Sequence, residues 1–363
     1  MMQNNQAIPF NKENFKQIWS KEFALVIIVS IPGALIADYF NIPLAWFLGP
    51  MIFTSFVTLG GIKTKMPRLV LSAVLIFLGL YIGNYIDKSL LSQMHQWFWT
   101  SLIMLGYIIV SVLLVSKYLQ KFSGYDKKTS IFSAAPGALG PLMILAEYEK
   151  SDLSQVATAH LIRLIIIITV FPFIVNSFYD SDSVHLVEKT VQNQNIFHLF
   201  ILLFLSIIFI FIFDKLKVPA ALLSGTLVAS GLLQITEIAS YKLPPNIIDY
   251  CLLILGSSVG CRFADKTFNE VAKNTLHSFV ATFLLVLLGV AAAYIAGLVI
   301  EKNFFTLLLS YCPGGIYEVA VIAIFFDLDP EFVSFHHIIR LLLILFFVPI
   351  ILRLISKKSS SNT

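Results

Sequence analysis

"PGGIYEVAVIAIFFDLDPEFVSFHHIIRLLLILFFVP" (313–349) decides how this chain is read. It is apolar enough for a bilayer interior. Yet it holds a break at Pro313, Gly314 and Gly315, an acid at Glu318, and a fixed charge at Arg340 behind His336 and His337. Slid along the chain by 177 residues, it falls on "PGALGPLMILAEYEKSDLSQVATAHLIRLIIIITVFP" (136–172), and 11 of 37 positions match without a gap. The matches include Pro136, Gly137, Asp152, His160 and Arg163, and chance would not gather them on Pro, Gly, His and Arg. Each Arg follows a His by three residues, a spacing that shares one helix face.

The repeat extends outward. Gly79 and Gly83 meet Gly256 and Gly260 at the same offset, and Asp38, Pro43 and Gly49 meet Asp214, Pro219 and Gly225 at an offset of 176. These pairs define two homologous transmembrane halves, 22–177 and 196–353, joined by a polar, acidic linker at 178–195. A polar segment (1–21) precedes them and a short tail (354–363) follows, both expected on the cytoplasmic side.

Of the 363 residues, 58% are hydrophobic and 13% charged, with mean hydropathy +0.85. A soluble domain carries about 25% charged residues, so composition indicates a polytopic membrane protein. The first 20 residues hold Lys12 and Lys16 but no apolar core or cleavage site, so the first hydrophobic segment is expected to insert and stay. Cys251, Cys261 and Cys312 are scattered, with no ligand spacing. There is no phosphate loop, nucleophile elbow or basic nucleic-acid module. The expectation is a non-enzyme with no metal, no cofactor and no nucleic-acid partner, embedded in the lipid bilayer. Its aromatic-rich helices permit a homodimer.

Each half holds six apolar segments: 23–39, 42–60, 69–86, 97–117, 129–148 and 153–177, then 196–213, 218–235, 247–261, 276–299, 304–326 and 331–352. The fifth is broken in both, by "AAPGALG" and "YCPGGIY". Proline lacks a donor and disfavours helix just before it. Such a break is tolerated at membrane depth only where backbone lines a cavity or is buried in protein. The positive-inside rule discriminates between topologies. If the fifth segments are re-entrant, each half crosses five times, the halves are inverted, and Lys and Arg outside the two midplane arginines split 19 inside to 4 outside. If they cross fully, the split falls to 16 against 7. The favoured fold is therefore all-α, with two inverted five-crossing repeats, each with a broken re-entrant helix. Secondary transporters are often organised this way.

The candidate site follows from depth. Asp329 and Pro330 read as N-cap and first helical residue, with Asp152 in the matching place. Arg340 and Arg163 each lie 11 residues further on, about 16 Å along a helix and near the middle of a roughly 30 Å hydrocarbon core. An Arg there costs at least about 2.5 kcal/mol unless it meets a partner or water. Two readings stay open: the arginines bind an anionic ligand, or they clamp the broken helices through backbone carbonyls or a carboxylate. The neighbouring His160, His336 and His337 are candidates for donors or proton relays. Glu318 stands three residues after Gly315, in the first turn of a half-helix, as proton-coupling group or as counter-ion to Arg340. The helix ends at Pro136-Gly137 and Pro313-Gly314-Gly315 expose N–H groups and a partial positive charge that suit a carboxylate.

The pattern at 313–340, its fainter copy at 136–163 and the whole-chain duplication resemble the AbrB-type duplicated membrane proteins. Members are often named ammonia monooxygenases or regulators of gene expression. The resemblance implies a bacterial inner-membrane protein of ten or so helices. Its motif falls on Pro313, Gly314, Gly315, Glu318, Asp329, Pro330, His336, His337 and Arg340. The first half departs from it at Ala159 and Pro141, which argues against a symmetric two-site mechanism. Oxygenase chemistry needs clustered metal ligands, and this sequence has only one adjacent His pair, coupled to an Arg. The leading expectation is a secondary transporter or exporter of a small anionic or zwitterionic metabolite, working by alternating access. The alternative is a membrane sensor that influences gene expression without moving solute.

Overall fold

A computed structural model describes residues 12–86, 88–178, 196–238, 246–264, 266 and 268–360. Residues 179–195, nearly all of the linker, lie outside these, as do 1–11 and 361–363 of the terminal segments. The described residues form only helices: α1 (Lys12–Ile18), α2 (Lys21–Tyr39), α3 (Ala45–Leu59), α4 (Arg68–Gly83), α5 (Lys88–Phe122), α6 (Lys127–Ala134), α7 (Leu139–Tyr148) and α8 (Leu153–Phe178), then α9 (Ile196–Lys215), α10 (Ala221–Thr236), α11 (Asn246–Cys261), α12 (Phe268–Gly297), α13 (Phe304–Tyr311), α14 (Ile316–Phe325) and α15 (Pro330–Ser360). Six spans among them are long and apolar enough to cross a membrane: Asn14–Tyr39, His95–Phe122, Leu153–Phe178, Phe197–Lys215, Thr275–Gly297 and Pro330–Leu352. Helices α3, α4, α10 and α11 are equally apolar but only 15 or 16 residues long, which gives each about 23 Å of reach. α9 keeps Phe197, Phe200, Phe204 and Phe211 exposed, as expected of a helix whose outer face meets lipid rather than water.

Local backbone geometry recurs with the sequence repeat. α6 and α13 both end on an extended residue, Ala135 (φ −61°, ψ 127°) and Cys312 (φ −57°, ψ 131°). The prolines that follow, Pro136 and Pro313, explain this, because each pushes its predecessor out of the helical region. Left-handed residues recur in the same way. Asn41 and Leu44 have their counterparts, 176 residues on, in Lys217 and Ala220, and Lys150 has its counterpart in Asp327, 177 residues on. A non-glycine residue at positive φ costs of order 1 kcal/mol, so these shared departures are built features rather than scatter.

The chain divides into two compact units. One holds Met1–Ser92, Pro172–Phe268 and Val321–Glu331, and the other Gln93–Phe171, Asn269–Ala320 and Phe332–Thr363. Each draws on both halves of the sequence. In the first unit the small residues of one half pack on the helix backbone of the other, reciprocally. A Cβ on Gly79 of α4 would lie 2.5 Å from the Leu223 carbonyl of α10, and one on Gly83 2.7 Å from that of Leu227. Likewise a Cβ on Gly256 of α11 would overlap the Phe47 carbonyl of α3, and one on Gly260 would lie 3.0 Å from that of Met51. Phe47 and Met51 are the counterparts of Leu223 and Leu227, so the two contacts are exchanged copies of one another. This is the close approach that a small-xxx-small spacing allows. Buried hydroxyls join the same helices: Ser30 Oγ lies 2.6 Å from Ser257 Oγ and 3.2 Å from Thr54 Oγ1.

Candidate functional site

The second unit carries the site. Both arginines turn back onto the broken helix of their own half. Arg163 Nη1 donates to the Ala135 carbonyl at 2.6 Å, and Nη2 donates to that of Ser133. Arg340 Nη1 donates to the Cys312 carbonyl, and Nη2 to that of Gly314 at 2.6 Å. Cys312 is the counterpart of Ala135, so one guanidinium bond is identical in both halves. The adjacent His does the same. His160 Nε2 donates to the Phe132 carbonyl at 2.9 Å, and His337 Nε2 to the Leu309 carbonyl at 3.0 Å. Carbonyls freed at a helix C-terminus need such partners, and the Pro-Gly interruption is what frees them.

Beyond this shared frame the second half is more elaborate. Arg340 Nη2 also donates to His337 Nδ1 at 3.1 Å. A guanidinium only donates, so Nδ1 accepts, and the ring is held as the neutral Nε2–H tautomer between Arg340 and Leu309. His336, where the first half has Ala159, donates from Nδ1 to the Phe332 carbonyl at 2.9 Å and meets Thr100 Oγ1 at 2.7 Å through Nε2. Tyr311 donates its hydroxyl to the Thr100 carbonyl at 2.7 Å. Trp97 packs against Phe335 with ring centres 4.9 Å apart and ring planes inclined at 51°. The sequence reading missed Thr100, Tyr311 and Trp97. Lone polar tips on apolar helices carry no periodic signal, although Tyr311 does stand next to the break.

The two breaks meet at Arg340. Gly137, with φ +117°, lies so close that a Cβ there would come within 2.9 Å of Arg340 Nη2 and 3.2 Å of its Cζ. Arg340 is buried, and its Nε carries no hydrogen-bond partner among the described residues. The half-helix starts differ in charge. On α14 the Glu318 carboxylate folds back over Gly315, the place from which an acid at the third helical position covers its own helix start. On α7 the same position is Pro141, and both Gly140 and Pro141 are exposed. The second half-helix start is thus covered by an anion of its own, and the first is open. Pro136 and Pro313 occupy the two interruptions and are buried. Asp152 caps α8, its Oδ1 accepting the Gln155 N–H at 3.0 Å. Asp329 precedes Pro330 at φ 41°, in the left-handed region. No group of three or more His, Cys, Asp or Glu able to hold a metal occurs among the described residues.

Among the described residues the regular structure is entirely helical, and six apolar spans of membrane length with two interrupted helices held by buried arginines are compatible with a polytopic membrane protein. The chain matches the family described as "Transition state regulatory protein AbrB" over residues 2–88 and 59–356, and it belongs to that family. It is 22% identical over 356 residues to "Uncharacterized protein YhjN" of Bacillus subtilis strain 168, across 91% of this chain and 92% of that one. It is also 22% identical over 320 residues to "Putative regulator AbrB" of Escherichia coli strain K12, across 87% and 91%. No solved structure matches it.

Proposed function

We propose that this protein is a secondary transporter of a small anionic or zwitterionic metabolite, working by alternating access. The observation that carries the reading is the open start of α7 beside Arg340. Helix-start N–H groups, which have no acceptor within their own helix, and a buried guanidinium whose Nε has no partner among the described residues are elements that hold a carboxylate. The arginines clamp the interruptions, and the charge left over makes the site electropositive. In this reading 22–177 and 196–353 are inverted repeats of five crossings, with α6–α7 and α13–α14 re-entrant. The short helices α3, α4, α10 and α11 supply the remaining crossings, and both termini face the cytoplasm of a bacterial inner membrane. The exchanged glycine contacts support a two-fold relation between the halves, the organisation that places transporter sites at interrupted helices. Proton coupling would run through Glu318 or His336. The protein acts without cofactor or metal and is not an enzyme.

The test is flux in proteoliposomes with a panel of small carboxylates. Uptake of one of them, abolished in Arg340→Met while the purified variant still folds, is the expected result. Unchanged flux in that variant would remove the site.

A second reading rests on the family description and on the Escherichia coli relative's name: a membrane sensor that alters gene expression without moving solute. It predicts transcript changes on deletion that ligand-free, flux-dead variants restore. A requirement for flux in that rescue would count against it.

A further inference from the structure

The first unit contains a groove of about 460 Å³ that the transport reading does not use. It is lined by Ile18 of α1, by Leu69, Val70, Ala73, Val74 and Phe77 of α4, and by the α11 counterparts of the last four, Ile247, Tyr250, Cys251 and Ile254. Each α11 residue stands 177 positions after its partner on α4, so the groove lies where the two halves face one another. Its walls are almost wholly apolar. From Leu69 to Phe77 it runs about 12 Å along α4, inside the roughly 15 Å that one leaflet's hydrocarbon provides.

One end of the groove is charged. Ile18 follows Lys16 and precedes Trp19, Leu69 follows Arg68, and Lys63 and Lys65 lie in the connection leading to it. Lys16, Lys21, Lys63, Lys65 and Arg68 are all exposed, and Trp19 is 90% exposed. An exposed Trp beside a short helix marks the headgroup level, and clustered Lys and Arg at that level attract anionic lipid.

We propose that this groove binds the acyl chain of an anionic phospholipid, with its phosphate at the Lys16–Arg68 rim. A second copy of the chain fits less well. A two-fold contact centred here would set groove against groove and enclose the space rather than fill it. The proposal depends on the membrane reading alone and not on transport.

The experiment uses full-length, delipidated protein in detergent. Phosphatidylglycerol and phosphatidylcholine with the same acyl chains are added in turn, and the melting midpoint is read. The expected result is an upward shift that grows with phosphatidylglycerol and is much smaller with phosphatidylcholine. Ala73→Trp, which fills the groove, should abolish the shift, and Lys16→Gln with Arg68→Gln should reduce it to the phosphatidylcholine level. Should Ala73→Trp fail to fold, photolabelling of the wild type decides: phosphatidylglycerol carrying a diazirine on its acyl chain should label 69–77 and 247–254. Equal shifts with both lipids, a shift that survives Ala73→Trp, or label elsewhere would overturn the proposal. So would an Ala73→Trp variant that changes oligomeric state and leaves lipid response intact.

Discussion

The α6–α7 and α13–α14 interruptions are two copies of one device, and their differences are more informative than their likeness. What is shared is structural: an extended residue before a proline, a His on a carbonyl 28 residues back, and an Arg on the next carbonyls. What differs is chemical. The second copy has its own acid at the helix start, a second His and a ring of aromatic neighbours. The first has a left-handed glycine, a proline and an exposed helix start. A broken helix at membrane depth must pair its freed carbonyls whatever else it does, so both copies keep the clamp. Nothing equally general demands an acid or an aromatic wall, so only those could diverge.

The largest effect tests the shared part. Arg163→Met and Arg340→Met each remove two hydrogen bonds from a charged donor to buried carbonyls, although the Ala135 carbonyl keeps the Gly137 N–H at 2.9 Å. Hydrogen bonds from a charged donor contribute about 1.5–3 kcal/mol each, so each variant should lose on the order of 3 kcal/mol, measured as a thermal or denaturant midpoint in detergent. Comparable losses would establish equivalent clamps. A loss confined to one variant would break the comparison.

Gly137→Ala against Gly314→Ala sharpens the difference. The first puts a side chain at φ +117° and against the Arg340 guanidinium, and strain of that kind costs of order 1–3 kcal/mol. A Cβ at Gly314 has side-chain atoms as its nearest neighbours, Val319 Cγ2 at 2.5 Å, Ile167 Cγ2 at 3.3 Å and Cys312 Sγ at 3.8 Å, and these shift more readily than backbone. Gly137→Ala should therefore be the more destabilising of the two and should perturb carboxylate uptake as well. Equal midpoints would mean that Gly137 does not hold Arg340 in place.

Much of this was legible in the chain. Most apolar runs match their helices to within three residues, but α5 and α12 start nine and eight residues before theirs and α15 ends eight after its own. The two Pro-Gly breaks interrupt them because proline chemistry is local. The partners were not legible. Arg340 sits on carbonyls of its own half and against a glycine of the other, a tertiary choice that no spacing encodes. Glu318 reads as its natural counter-ion, yet its carboxylate lies over its own helix start, because an acid at the third helical position reaches its own cap first. Thr100 and Tyr311 were invisible because an isolated hydroxyl in an apolar run has no pattern to betray it.

A smaller effect follows from that acid. Pro141→Glu would give α7 the anion that α14 already has. Placed against the helix dipole it should change stability by about 1 kcal/mol or less while occupying the proposed carboxylate position. Folded protein with normal melting and no uptake is the expected outcome. Undiminished uptake would show that the start of α7 is not where substrate binds.

The smallest effect separates the two copies by pH. α6 is capped by Asp126, whose Oδ1 accepts the Lys128 and Thr129 N–H groups at 2.9 and 3.1 Å and whose Oδ2 accepts the Thr129 hydroxyl. Its counterpart on α13 is Asn303, whose Oδ1 accepts the Phe305 N–H at 2.8 Å. In the proposed inverted topology Asp126 sits at the cytoplasmic end and Asn303 at the opposite face, and of the two only Asp126 titrates. Partial burial raises its pKa, but the Thr129 hydroxyl and the backbone N–H groups outweigh that and hold it below the ordinary carboxylate value. A lowered folded-state value means the carboxylate contributes its full stability above about pH 3.9, and the contribution fades as pH falls through the lower, folded one. A cap contributes about 1 kcal/mol, and the part that depends on charge is less, because this site is largely solvated. Asp126→Asn keeps a capping oxygen and removes the charge, as α13 already does. Its melting midpoint should fall slightly below wild type at pH 7, and the gap should close as the pH is lowered through the folded-state value. A difference between the two that does not change with pH would show that the carboxylate's charge plays no part in holding α6.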